Sequence, residues 1–155
     1  KIVSAKNNPQ SLPDILRPFL SSIRAGDYFA LLAYLVMNEG NENILQSMRT
    51  SIQRQFKIVT SLGFGPRYLH STGQVYKGGP NSGIFIEITA DDNIDLPVPG
   101  KRYTFGIVST AQAIGDFQVL CERQRRVLRL HLKGELNQGL LEIQKAIDDV
   151  CTGRI

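Results

Sequence analysis

The chain has two histidines, and they sit in different settings. His131 falls in a Leu-Arg-Leu-His-Leu strand pattern and reads as structural, whereas His70 lies in a glycine-rich, hydroxyl-rich stretch from Gly63 to Gly83. Imidazole is the side chain most readily set to exchange protons near neutral pH, so His70 is the first candidate for acid/base chemistry. Around it Arg67 can fork onto a phosphate, and Ser71, Thr72, Gln74 and Asn81 can bond hydroxyls. Lys77 adds a second cation, and Gly65, Gly73, Gly78, Gly79 and Gly83 let backbone approach a ligand closely. The 44 residues between Glu42 and Glu87 carry no carboxylate, although 14 acids in 155 residues would place about four there. A basic, acid-free, hydroxyl-rich segment suits a polar anionic ligand, and a sugar phosphate meets those requirements. The same residues also suit a long structural loop whose glycines only turn the chain. Ser71 beside His70 is not a nucleophile signal, because sequence neighbours rarely meet in triad geometry and no elbow motif is present. Neither a Walker loop nor a GxGxxG occurs, so nucleotide-type phosphate binding is unsupported.

The elements that must position this stretch follow from hydrophobic spacing. Residues 1 to 12 are polar, with Asn7, Asn8 and Pro9, and read as a linker from an upstream domain with no core of its own. From Pro13 the positions Ile15, Leu16, Phe19, Leu20 and Ile23 recur at helical spacing, with Ser11 as cap and Gly26 as stop. Asp27 then caps an expected second helix through Phe29, Leu31, Leu32, Leu35 and Val36, apolar nearly all round, hence buried, and ended by Gly40. A third helix is expected over residues 43–55. Residues 56–62 are β-branched and end at Gly63 and Gly65, as a buried strand feeding a loop would. A strand over 84–89, a helix over 105–124, a strand over 127–132 and a helix from Leu136 to Val150 complete the expected order of three helices followed by β, β, α, β, α. Strands separated by helices imply a parallel sheet covered on both faces, an α/β architecture. The loop from Gly63 to Gly83 would then leave the carboxyl end of a strand, where ligands bind in open α/β sheets, and a connection of that length is usually functional.

Composition bounds the function classes. With 18 Lys+Arg against 14 Asp+Glu, 42% hydrophobic and 21% charged residues, the chain is an ordinary globular domain, large enough to need no metal or disulfide staple. The ten-residue apolar run from Tyr28 to Met37 falls short of the ~20 residues of a membrane span, so no membrane partner is expected. Cys121 and Cys151 match no zinc or disulfide pattern and read as free thiols of a reducing compartment, pointing to the cytoplasm. The basic block Arg123, Arg125, Arg126 and Arg129 reads as a solvated helix end favoured by the helix dipole, and no nucleic-acid partner is expected. The chain begins at Lys1, with no signal-peptide pattern, which suggests a fragment.

Four long stretches carry a family resemblance. Leu-Gly-Phe-Gly-Pro-Arg-Tyr-Leu-His-Ser-Thr-Gly-Gln-Val-Tyr-Lys-Gly-Gly-Pro-Asn-Ser-Gly from Leu62, Ile-Thr-Ala-Asp-Asp from Ile88, Pro-Gly-Lys-Arg-Tyr-Thr-Phe-Gly from Pro99 and Ala-Gln-Ala-Ile-Gly-Asp from Ala111 resemble the C-terminal part of bacterial bifunctional transaldolase/glucose-6-phosphate isomerases. The resemblance is densest over 56–133. It implies a sugar-isomerase (SIS) subdomain over 13–155: a three-layer α-β-α fold with a parallel sheet of flavodoxin type, preceded by N-terminal helices. It also implies an upstream SIS subdomain and a transaldolase domain in the same chain, with a sugar-phosphate site shared between subdomains.

The implied activity is interconversion of glucose 6-phosphate and fructose 6-phosphate, by ring opening and proton transfer between C2 and C1 through an enediol. Metal and organic cofactor are both absent from that chemistry. General isomerases of this class carry a Gly-Gln-His stretch followed by a Gln and a second His; His70 and Gln74 match the first His and the Gln, and Tyr76 or Lys77 stands where the second His would fall. The resemblance therefore implies His70 as the catalytic group, with Arg67, Ser71, Thr72, Gln74, Lys77 and Asn81 as substrate contacts. The family's glutamate base and late lysine have no counterpart, with Arg123 and Gln124 lying near the place of the lysine. The isolated chain is accordingly expected to show little turnover, and the alternative is a non-catalytic sugar-phosphate-binding or assembly module attached to a transaldolase. Sequence leaves monomer and homodimer both open.

Overall fold

A computed structural model describes residues 2–4, 11–91 and 94–153, and shows a five-stranded, wholly parallel sheet in the order β1-β5-β4-β2-β3. The elements are β1 (Ile2–Ser4), α1 (Leu12–Leu20), β2 (Tyr28–Tyr34), α2 (Glu39–Phe56), β3 (Val59–Phe64), a 3₁₀ turn (Arg67–His70), α3 (Thr72–Gly78), β4 (Gly83–Ala90), α4 (Phe105–Glu122), β5 (Arg126–Leu132) and α5 (Leu136–Thr152). Helices α1, α2 and α5 cover one face, while the 3₁₀ turn, α3 and α4 cover the other, giving the expected three-layer α-β-α fold. From β2 onward the strand order is the doubly wound, flavodoxin-type order, with β1 added at the edge beside β5.

The fold corrects several expectations. The run expected as a buried helix from Asp27 is the central strand β2, so among the described residues a single helix, α1, precedes the first central strand. A continuous apolar run of this length fits a strand buried on both faces as well as it fits a buried helix, and the flanking turn decides between them. Gly26 takes φ +86°, and Asp27, instead of capping a helix, receives the Arg126 guanidinium on both oxygens at 2.7 and 2.9 Å. That pair and the Arg24 amide hold the Asp27 carboxyl below its ordinary range. Second, the polar leading segment contributes β1, whose Ile2, Val3 and Ser4 pair in register with Arg129, Leu130 and His131; the expectation for residues 5–10 lies outside the described residues. Third, the stretch from Gly63 to Gly83 is not an open loop but a crossover containing the 3₁₀ turn and α3.

The Ser11 signal holds. Ser11 caps α1 in a reciprocal capping box with Asp14. Helix α2 starts four residues earlier than expected, at Glu39, because the Asn38 side chain accepts from the Asn41 amide at 2.9 Å. Strand alternation then sorts the sheet: Ile84, Ile86, Ile88, Leu128, Leu130 and Leu132 face α1, α2 and α5, and Phe85, Glu87, Thr89, Val127, Arg129 and His131 face α4. The basic block is not a solvated helix end. Arg125 donates to the carbonyls of Lys77 and Gly79 at 2.7 and 2.6 Å, Arg126 pairs with Asp27, Arg129 lies against Glu87, and Arg123 alone is exposed, with no such contact among the described residues.

Candidate functional site

At the carboxyl edge of the sheet the connections from β2 and β4 leave in opposite directions, β2 through α2 on one face and β4 through α4 on the other. Such a switch point opens a crevice beyond the strand ends, the usual ligand position in doubly wound folds. Here the crevice has a volume of about 540 Å³ and lies between the ends of β2, β4 and β5 and the first turns of α4. Two smaller recesses adjoin it, and Tyr34 is a wall common to all three.

The turn carrying His70 follows β3 at the same edge. The Gly65 amide donates to the Ala33 carbonyl at 2.8 Å, tying the end of β3 to the end of β2. Arg67, His70, Ser71, Thr72 and Gln74 are all exposed there. Gln74 folds back onto the Leu69 carbonyl at 2.8 Å, and Arg67 reaches the Met37 sulfur at 3.6 Å. Among the described residues the His70 ring has no hydrogen-bond partner.

The turn is anchored from beneath. Tyr68 is buried, and its hydroxyl donates to Asp116 Oδ2 at 2.5 Å. Lys77 Nζ sits 2.5 Å from the other oxygen of Asp116, so one carboxylate of α4 clamps both the 3₁₀ turn and α3. Burial, and then the Asp116 charge, push the Tyr68 hydroxyl far above its ordinary pKa, so it acts only as a neutral donor. Tyr34 packs edge-on against the Tyr68 ring with centroids 5.9 Å apart, and burial raises its hydroxyl too. The glycines serve this packing: a Cβ on Gly63 would stand 3.0 Å from Tyr68, and one on Gly65 would stand 2.7 Å from the Tyr34 ring. Their close approach is to aromatic rings of the protein.

Lys77 and Asn81 do not join His70. The Lys77 ammonium is committed to Asp116. Asn81 lies at the opposite, amino edge of the sheet, where its amide donates to the Gln124 carbonyl at 3.2 Å and the adjacent Ser82 carbonyl accepts from the first residue of β2. A crossover helix runs from one edge of a parallel sheet to the other, and this one carries the two ends of the Gly63–Gly83 stretch apart.

A second polar group was not legible as a site. Glu87 on β4 and Arg129 on β5 are register partners, and so are Thr89 and His131 one step nearer the carboxyl edge. Glu87 is wholly buried. Arg129 Nε lies 3.2 Å from Glu87 Oε1, close enough for an ion pair, yet the alignment makes no hydrogen bond and leaves both carboxylate oxygens and Nε without one. Burial pushes the Glu87 carboxyl up to about 8; Arg129 opposes that shift and the Asp116 charge adds to it. His131 bridges Thr89 Oγ1 at 2.9 Å and Asp91 Oδ1 at 3.1 Å. Arg129, Thr89 and His131 all line the crevice. The signal that could have found them is the alternation itself, which puts Glu87 and Arg129 at inward positions of central strands covered on both faces.

No family model matches this sequence, and no curated protein matches it. Among solved structures it is similar to a hypothetical protein, TT0462, from Thermus thermophilus, with a TM-score of 0.70 at 18% identity. The match covers 90% of this chain and 40% of that chain, so this sequence spans well under half of its neighbour's length. At that identity the likeness is one of fold, and it agrees with the doubly wound α/β architecture. Among the described residues no helix is long and apolar enough to cross a membrane, and no group of three or more His, Cys, Asp or Glu side chains is placed to hold a metal.

Proposed function

We propose that the chain is the C-terminal part of a cytoplasmic glucose-6-phosphate isomerase within a transaldolase fusion, completing a sugar-phosphate site shared with an upstream SIS subdomain. The observation that carries this reading is the His70 turn: an imidazole without a hydrogen-bond partner among the described residues, exposed at the carboxyl edge of the sheet, on a turn clamped from below by buried Tyr68 and Asp116. A group that must meet a substrate bound against another subdomain has to stand free at an edge while its backbone is held still. In this reading His70 opens the pyranose ring or carries the proton of the aldose-ketose transfer. Arg67 contacts the phosphate or an anionic oxygen, and Ser71, Thr72 and Gln74 contact hydroxyls. Lys77 and Asn81 have structural parts: one charges the clamp, the other closes the amino edge.

The test is isomerisation of glucose 6-phosphate by the full-length protein and by its His70→Ala variant. Loss of a general acid or base lowers kcat by about 10²–10⁴-fold, and an unchanged rate removes His70 from the chemistry. A second reading, a non-catalytic sugar-phosphate-binding or assembly module, is favoured by the absence of any carboxylate between Glu42 and Glu87. It predicts that full-length protein binds glucose 6-phosphate and does not turn it over.

A further inference from the structure

We propose that the crevice between β2 and β4 is an oxyanion site of its own, in which Arg129 grips the carboxylate or phosphoryl group of a small hydroxylated molecule. The proposal goes beyond the isomerase reading, which places its chemistry on the His70 turn. It rests on which polar groups of the crevice are already engaged and which are free. Asp95 is engaged: Oδ1 accepts from the Gly106 amide at 2.8 Å and Oδ2 accepts from the Thr104 hydroxyl, so the start of α4 is capped by the protein's own carboxylate. His131 is engaged through both ring nitrogens. Asp91 gives one oxygen to His131 and stands at the mouth, with 68% of its side chain exposed.

What is left free in depth is a donor set. Arg129 lines the crevice with only 11% of its side chain exposed, and among the described residues none of its five N–H donors makes a hydrogen bond. The Ser109 and Thr110 hydroxyls, one to two turns into α4, line the same space. Of this guanidinium only Nε is a buried atom without a hydrogen bond, while the terminal nitrogens have no protein acceptor among the described residues, and the planar fork they form matches a carboxylate or a phosphoryl group. The carboxyl group already beside it, Glu87, touches Nε out of alignment and cannot fill the outer edge of the fork. A space of about 540 Å³ is far larger than a lone phosphate and fits a small polyol acid or ester whose hydroxyls reach Ser109, Thr110 and the free oxygen of Asp91.

The experiment is a ¹H–¹⁵N NMR titration of the chain with glucose 6-phosphate, gluconate and glucose, followed at the Arg129 side-chain resonance and at the amides of 106–111. Saturable shifts there with either acid, and none with neutral glucose, support the site; whichever acid binds identifies the oxyanion. The double variant Arg129→Met/Glu87→Gln removes the cation together with its buried partner, and should weaken binding by about 10–100-fold, the worth of hydrogen bonds to a charged group. Should that variant fail to fold, Ser109→Ala with Thr110→Val, at accessible helix positions, is expected to weaken binding severalfold. The proposal is overturned if neither acid binds at millimolar concentration, if glucose binds equally well, if the shifts cluster at 67–74, or if the folded variants bind as the parent does. Binding without any isomerase turnover upholds it, so its fate is separable from that of the isomerase reading.

Discussion

The two faces of the sheet are built on opposite terms. Under α1, α2 and α5 the middles and carboxyl ends of β4 and β5 present Ile84, Ile86, Ile88, Leu128, Leu130 and Leu132, all of them apolar and packed in one cluster. Under α3 and α4 the same two strands begin with Phe85 and Val127, change to Glu87 and Arg129, and end with Thr89 and His131. Polarity rises toward the carboxyl edge on that face alone. A fold can place charge inside a parallel sheet on one face when the other face supplies stability, and the polar face is where the crevice opens.

The sharpest way to break this contrast is to damage each face at adjacent residues of β4. Ile86→Ala on the dry face removes a wholly buried side chain from the larger cluster and is expected to destabilise by about 2–5 kcal/mol, read from urea midpoints at constant m. The loss should be the same at every pH between 5 and 9, because no titrating group of the dry cluster beside Ile86 changes charge there. A pH-dependent loss would show that the two faces are coupled through the strand.

Glu87→Gln on the polar face should behave in the opposite manner. The carboxyl titrates near its ordinary value of 4.5 when unfolded and near 8 when folded. Below 4.5 both states hold the proton and the group makes no difference. Between those values the unfolded chain releases the proton and the folded chain keeps it, so parent stability falls as pH rises and levels off above about 8. The groups facing Glu87 are Arg129 on β5, Tyr34 on β2 and Asp116 on α4. The amide removes the slope. Relative to the parent, the variant should gain stability from pH 5 to 8, by at most on the order of 4 kcal/mol at ~1.4 kcal/mol per pH unit. Parallel stability profiles for the two proteins would mean that Glu87 is already ionised when folded.

These residues also show where sequence reading succeeds and fails. The Ser11 cap, the amphipathic α5 and the strands β4 and β5 were legible because spacing and capping are local. β2 was not, since Phe29 to Tyr34 is apolar at every position and neither period can be read from it. Within the candidate site, residue types picked out the stretch around His70 as polar and basic but not its 3₁₀ turn, and Lys77 and Asn81 were carried away from it by a crossover helix hidden in a glycine-rich segment. The roles of Asp116, Glu87 and Arg129 depend on which partner lies across the sheet or on α4, and that information is wholly non-local.

The smallest effects test how tightly the polar face is packed around the crevice. Gly65→Ala puts a Cβ 2.7 Å from two ring atoms of Tyr34, a side chain pinned against Tyr68 and lining the crevice, so the ring cannot move without disturbing the clamp. Overpacking of this kind costs about 1–3 kcal/mol. Gly115→Ala, in the interior of α4, meets no atom within 4 Å, and there the gain in helix propensity should stabilise by about 0.5–1 kcal/mol. Thermal denaturation of the pair reads both signs at once: Tm should fall for Gly65→Ala and rise for Gly115→Ala. If Gly65→Ala were as stable as the parent, the Tyr34 ring would have room to swing, and the crevice wall it forms would be adjustable rather than fixed. If Gly115→Ala were destabilised, the outer side of α4 would be closely covered, and the open side of the polar layer would have to be redrawn.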